Sequence, residues 1–329
     1  MRKPVSDRKI LTQYGENLLK FFYQCQVKYI RYLGGGSYGR VFLYRIKKHP
    51  YKVVMKACLL EEMAHQEVAA LEALRRQSIL PIVEVYHVFE KTKKIPYSYI
   101  LMQYIPGKSA LFSLSLFLGS KKKKAAFAAT MVENLASYHE KKQSLFGDLI
   151  NPTYDDWYSY YFIFADRVLA KASEAYSHNQ LEERIFHLLE EADYYRSTIF
   201  EEPVLEASLI HGDYNISNVL VNHQGKLLAV IDPLHTMWAD KEYDLFQLRN
   251  LFGDYFHLYQ TYKEKYSTSK RVDLKCAYYA LFHEMYVIFE TGERLNFILM
   301  PLVKRLEKEL EKLKNELKNK DFLSKNSVK

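Results

Sequence analysis

The sequence predicts an α+β protein of two lobes: a small β-rich N-lobe over residues 1–104 and a larger, mainly helical C-lobe over 105–329. Three observations lead there. Short segments rich in β-formers crowd the first hundred residues, with one helical stretch among them. Pro106-Gly107 then punctuates the chain, and long helical segments follow. Within that second part, three short apolar segments frame a polar loop, His211-Gly212-Asp213 to Asn218.

The elements follow in order. Ile10 to Gln26 has Leu11, Leu18, Leu19 and Phe22 at helical spacing. Val27–Leu33 alternates, a glycine cluster at 34–36 and 39 interrupts it, and Val41–Ile46 resumes, which predicts a hairpin. Lys52–Ala57 is a third strand, and Glu61–Arg76, free of breakers, is a helix. Ile82–Glu90 and Tyr97–Tyr104 complete five strands. Beyond them Ala125–Glu140, Tyr154–Ser177 and Leu181–Phe200 read as helices, with Lys121–Lys124 as a solvent-facing patch that caps or precedes the first. Leu205–Ile210, Val219–Asn222 and Lys226–Ile231 are short strands, the last two joined by a turn at Asn222–Gly225. A final helix from about Leu302 to Asn319 carries the stripe Leu302, Leu306, Leu310, Leu313 and Leu317, which predicts docking on the larger lobe.

Bulk properties narrow the function. The 329 residues, 48% apolar and 26% charged, fit an ordinary globular chain. Half of the +8 net charge sits in residues 301–329, so the basic balance is partly a tail property and no nucleic-acid partner is expected. Cys25, Cys58 and Cys276 are far apart, which predicts reduced thiols rather than a disulfide framework or zinc site. The charged start of the chain lacks an apolar h-region, and the most apolar stretch, Ala110–Leu118, is too short to span a bilayer. A cytoplasmic location without a membrane partner is the expectation. None of these features sets an oligomeric state.

The polar motifs point to phosphoryl transfer. Gly34-Gly35-Gly36-Ser37-Tyr38-Gly39-Arg40-Val41 fits G-x-G-x-x-G-x-V between two strands, so Gly34, Gly36, Ser37, Gly39 and Val41 are candidates to cover ATP phosphates. Lys56 ends an apolar strand, and an inward ammonium there needs anionic partners, namely phosphates and a helix glutamate. Glu67 is the chosen glutamate over Glu61 and Glu62, and Lys52 is the competing lysine. Asp213 is the candidate catalytic base toward a substrate hydroxyl, while Asn218 and Asp232 offer oxygen ligands to Mg2+. His211 is expected to be structural. Asp244 is expected to cap a helix, to accept N–H groups from the catalytic loop, or both. Gln103 and Ile105 would present backbone groups to adenine, and GTP is the alternative donor.

H-G-D-x-x-x-x-N followed by I-D and a downstream D-L resembles the aminoglycoside-phosphotransferase branch of the protein-kinase-like fold, from Gly34 to about Leu248. Asp232-Pro233, Asp240-x-Glu242-x-Asp244-Leu245 and Leu251-Phe252-Gly253 resemble the fructosamine-kinase family, and Asp156-Trp157 through Arg167 echoes its helical insert. Tyr214-Asn215 departs from that family's L-W, and the glycine loop looks more like a protein kinase's. The resemblance implies an ATP- and Mg-dependent kinase of a small hydroxyl compound, a ketosamine or amino sugar. An antibiotic phosphotransferase, or a nucleotide-binding pseudoenzyme with an interaction role, would keep the same core. Eleven residues between Asp232 and Asp244, with no A-P-E beyond, leave little room to receive a peptide substrate. Glu201, Glu202, Glu206 and Asp240 either make an acidic acceptor pocket or are surface charges.

Overall fold

The computed structural model describes residues 7–36, 38–60, 62–233 and 235–326, except the side chains of 321–326. Packing divides the chain into two compact units, Met1–Tyr138 with Ile216–Thr236, and His139–Asn215 with Met237–Lys329. The first unit runs beyond the Tyr104 boundary because helices after the fifth strand and the hairpin after Asn215 pack with it.

In the first unit, α1 (Arg8–Tyr23) starts where the Asp7 carboxylate accepts the Lys9 N–H at 2.8 Å, and stops at Gln24 in a left-handed conformation. Strands β1 (Val27–Gly34), β2 (Gly39–Ile46) and β3 (Lys52–Cys58), helix α2 (Met63–Arg75), and strands β4 (Val85–Phe89) and β5 (Ser98–Gln103) follow. The five strands form an antiparallel sheet in the order β1-β2-β3-β5-β4. Alternation works as expected: Phe42 and Tyr44 on β2, Val53 and Met55 on β3, and Tyr99 and Leu101 on β5 join Leu11 and Leu19 of α1 in one core. The phenols of Tyr44 and Tyr99 end on α1 carbonyls, at Thr12 (2.8 Å) and Leu11 (3.0 Å), so burial leaves neither hydroxyl unpaired.

Strand β6 (Lys108–Ser109) pairs with Val219–Val221, which pairs with Leu227–Val230. Helices α3 (Leu114–Phe117) and α4 (Lys121–His139) lie between β6 and the second unit in sequence. The lysine run, expected to cap or precede a helix, forms the first turn of α4, where the Ser120 hydroxyl accepts the Lys123 N–H at 3.3 Å. Cations at a helix N-terminus oppose the macrodipole, and that preference puts the sequence-based start at Ala125, four residues late.

The second unit holds a four-stranded sheet of Lys142–Gln143, Ala207–Ile210, Met237–Ala239 and Gly147–Asp148, in that order. Around it lie α5 (Trp157–Ser177), α6 (Glu183–Tyr194), α7 (Arg196–Ile199), α8 (Leu258–Lys265), α9 (Val272–Thr291) and α10 (Asn296–Asn326). The expected helix over 181–200 is thus two helices. The last helix begins six residues before Leu302 and carries Pro301 inside it. Leu302, Leu306, Leu310 and Leu313 are buried against this unit, each worth about 1.5–3 kcal/mol relative to exposure. Ion pairs Arg184–Glu307, Arg271–Glu316 and Lys314–Glu191 line the flanks of α10.

Candidate functional site

Two constellations carry chemistry, one in each unit. In the first unit, β2 and β3 are in register with Val41 opposite Lys56. Lys56 is 5% exposed, and its Nζ lies 2.6 Å from Glu67 Oε2 and 2.5 Å from Asp232 Oδ1. Burial opposes the ammonium charge, but the two carboxylates outweigh it and raise the pKa above the ordinary lysine value. Glu67 is thus the helix partner of Lys56, while Lys52 is exposed at the start of β3.

The glycine loop is shaped to stay bare. Gly34 takes φ +144°, and a Cβ on Gly35 would fall 2.3 Å from the Gly39 carbonyl oxygen. A Cβ on Gly39 would meet Lys56 Cε at 2.8 Å, so the glycine leaves room for the lysine stem to cross. Gly36 faces open space. Arg40 donates from Nη1 to the Gly39 carbonyl at 2.8 Å and also to that of Gly36. Ser37 lies outside the described residues.

Asn218 and Asp232 flank one hairpin. Val219 pairs with Val230, and the Ile231 N–H donates to the Asn218 carbonyl at 2.9 Å, so both polar residues come to the same end. Asn218 is 7% exposed at the close of a 3-10 turn, Ile216–Asn218. Ser109 braces that turn by donating its hydroxyl to the Ser217 carbonyl at 2.9 Å. Asp232 has φ +57°, a left-handed conformation that ends the strand and turns its half-exposed carboxylate toward Lys56. An amide oxygen and a carboxylate oxygen at one hairpin end suit Mg2+, a hard cation that commonly takes one or two protein oxygens beside substrate phosphates. At the expected adenine contacts, the Gln103 N–H donates to the Glu84 carbonyl (2.8 Å), and the Ile105 carbonyl accepts from the Gly107 N–H (2.8 Å).

In the second unit, the fully buried strand Ala207–Ile210 delivers the loop His211–Asn215. Asp244, 0% exposed, accepts the His211 N–H at Oδ2 and the Gly212 N–H at Oδ1, both at 2.7 Å. Capping of the nearby 3-10 turn falls to Asp240, which accepts the Glu242 N–H at 2.9 Å. Asp244 therefore holds the loop. Gly212 (φ +81°) makes the bend, and Asp213 N–H donates to His211 Nδ1 at 3.3 Å, which fixes His211 as a loop brace. Asp213 is half-buried.

Sequence reasoning missed three residues here. Asn215 Nδ2 donates to Asp213 Oδ1 at 2.7 Å, which fixes one carboxylate oxygen and orients the other. His139 Nε2 lies 3.2 Å from Asp244 Oδ2, and His139 Nδ1 lies 2.9 Å from the Tyr262 hydroxyl. Asn215 stood inside the motif, where its departure from L-W was a signal. His139 and Tyr262 lie over a hundred residues apart and carry no spacing signal.

The expected acidic pocket is largely spoken for. Asp240 and Glu242 each lie 2.7 Å from the buried Lys275 ammonium. Glu201 pairs with Arg271 at 3.0 Å, and Glu202 accepts the Lys270 N–H at 2.9 Å, whereas Glu206 is exposed.

Residues 30–272 match the model of the phosphotransferase enzyme family. Among curated proteins, none matches the chain. Of solved structures, the chain is similar to wild-type aminoglycoside 2′-phosphotransferase-IIIa in its GDP complex, with a TM-score of 0.63 and 15% identity over 92% of this chain and 98% of that one. It is similar to a spectinomycin phosphotransferase bound to ADP and spectinomycin, with a TM-score of 0.55 and 16% identity over 91% and 96%. A candidate fructosamine-3-kinase from Haemophilus somnus 129PT gives 0.59 and 14% over 90% and 95%. At such identities the likeness is one of fold, the protein-kinase-like α+β fold that the motifs predict.

Proposed function

We propose, from the premise that this chain belongs to the phosphotransferase enzyme family, that it moves the γ-phosphate of ATP to a hydroxyl of a small molecule. The observation that carries the reading is the Lys56 ammonium, buried and held between Glu67 and Asp232. A buried cation anchored on a strand and aimed by a helix glutamate is the arrangement that positions phosphate oxygens.

Lys56 would bind phosphate, and the bare glycine backbone would cover it. Asn218 and Asp232 would hold Mg2+, which when bound supplies charge neutralisation for the triphosphate. Asp213, oriented by Asn215, accepts the proton of the acceptor hydroxyl as that oxygen attacks phosphorus. Asp244 keeps the loop rigid, so Asp213 needs little reorganisation on substrate binding.

A ketosamine or a singly aminated sugar suits the acceptor side better than a polycationic antibiotic. Asp240, Glu242 and Glu201 already neutralise Lys275 and Arg271, so they are not free to collect several ligand amines. Magnesium-dependent ADP release across a panel of sugars, ketosamines and aminoglycosides tests this. Turnover with a sugar or ketosamine is expected, and turnover confined to aminoglycosides would reverse the acceptor assignment.

A further inference from the structure

Two sequence features have no place in phosphoryl transfer: the apolar run Ala110–Leu118 and the lysines at 121–124. The fold puts them side by side. Phe112 and Leu114 are each 71% exposed and Leu118 is 83% exposed. Leu114 and Leu118 are four residues apart, hence on one face of the α3 segment. Lys123 reaches back and donates to the Ser115 carbonyl at 2.7 Å, which pins the first turn of α4 onto α3. Lys121 and Lys122 remain exposed beside the apolar tips.

The two chain segments that build this face carry no acidic side chain. Residues 105–132 contain five lysines and no Asp or Glu. The Asn222–Lys226 turn packs on α3, since a Cβ on Gly225 would lie 2.8 Å from Leu116 Cγ, and it adds the exposed Lys226. Residues 216–231 also lack any acidic side chain.

We propose that this face docks the protein reversibly on an anionic phospholipid bilayer, with Phe112, Leu114 and Leu118 entering the headgroup–acyl boundary and Lys121, Lys122 and Lys226 meeting lipid phosphates. Leu and Phe beside lysines is the composition of elements that lie on a membrane surface. Protein interfaces, by contrast, are depleted in lysine. Among the described residues no helix is long and apolar enough to cross a membrane. Lying on one needs only a few inserted side chains and a cationic rim, so this proposal departs from the sequence-based expectation of no membrane partner.

The test is co-sedimentation of the full chain with vesicles of phosphatidylcholine alone and of phosphatidylcholine mixed with phosphatidylglycerol. Wild type should pellet with the anionic vesicles only, and less so as salt rises. Each lysine near an anionic surface strengthens binding roughly fivefold, so K121E/K122E should weaken it by at least about tenfold. L114S/L118S should weaken it at any salt concentration. K318E, which removes an exposed tail cation, should leave binding unchanged, and all the variants should melt as wild type does. Absence of pelleting with anionic vesicles, or pelleting indifferent to both double variants, would overturn the proposal. So would light scattering that shows a dimer dissolved by L114S/L118S, because a second copy would then cover the face.

Discussion

Asp244 and His139 are 105 residues apart in sequence and meet in the second unit, with His139 Nε2 at 3.2 Å from Asp244 Oδ2. The same carboxylate receives the two N–H groups at the start of the His211–Asn215 loop. One buried anion thus organises the loop, and one imidazole, backed by Tyr262, fixes that anion.

Asp244→Ala strands two buried N–H donors and the His139 ring together. Each orphaned group costs about 1–3 kcal/mol, so a loss of at least ~3 kcal/mol is expected in chemical denaturation. Asp244→Asn keeps one acceptor oxygen and should lose less stability while lowering kcat.

His139→Ala removes the brace but leaves the loop's own bonds to Asp244. A cost of about 1–3 kcal/mol is expected, with a fall in kcat and an unchanged KM for nucleotide. An equal rise in KM would show that His139 serves nucleotide binding instead.

Asn215→Ala removes the 2.7 Å hydrogen bond to Asp213 Oδ1. Loss of that orienting bond predicts about a tenfold drop in kcat, without loss of stability beyond about 1.5 kcal/mol. Steady-state kinetics beside a melting curve separates the two effects.

Lys56→Met leaves the buried Glu67 without its cation, at a cost of about 3–5 kcal/mol, and the double variant K56M/E67Q should recover much of it. The pH dependence has a definite sign. The Lys56 pKa is raised on folding, so its contribution is fully present below the ordinary lysine value of about 10.4 and is lost only above it. Wild-type stability should therefore show no Lys56 transition through neutral pH. In K56M the Glu67 carboxyl, already pushed up by burial, loses the cation that opposed the shift. Stability of K56M should then fall as pH rises from the ordinary glutamate range toward the raised value. A flat K56M profile would contradict the pairing.

Local chemistry made much of this legible. Alternation on β1, the glycine break before β2, the apolar run of β3 and the breaker-free run of α2 made the first sheet and its helix readable, and the inward Lys56 called for a carboxylate that Glu67 supplies. Helix α9 stayed hidden because it is apolar nearly all round, with residues from Val272 to Phe282 buried on every face and no 3.6-residue stripe to see. Pro301 obscured the first turns of α10. The charge on Asp240 could not be assigned from sequence, because its neutraliser, Lys275, lies on that unseen helix. His139 was unreadable for the same reason: its meaning rests on a tertiary contact with Asp244 rather than on spacing.

In the proposed reaction Asp213 takes the acceptor's proton while other residues bind the nucleotide. Measuring magnesium-dependent phosphate transfer and nucleotide affinity together in Asp213→Asn tests it most directly. Turnover should fall by at least ~100-fold with nucleotide affinity unchanged. Turnover within a few-fold of wild type would contradict it.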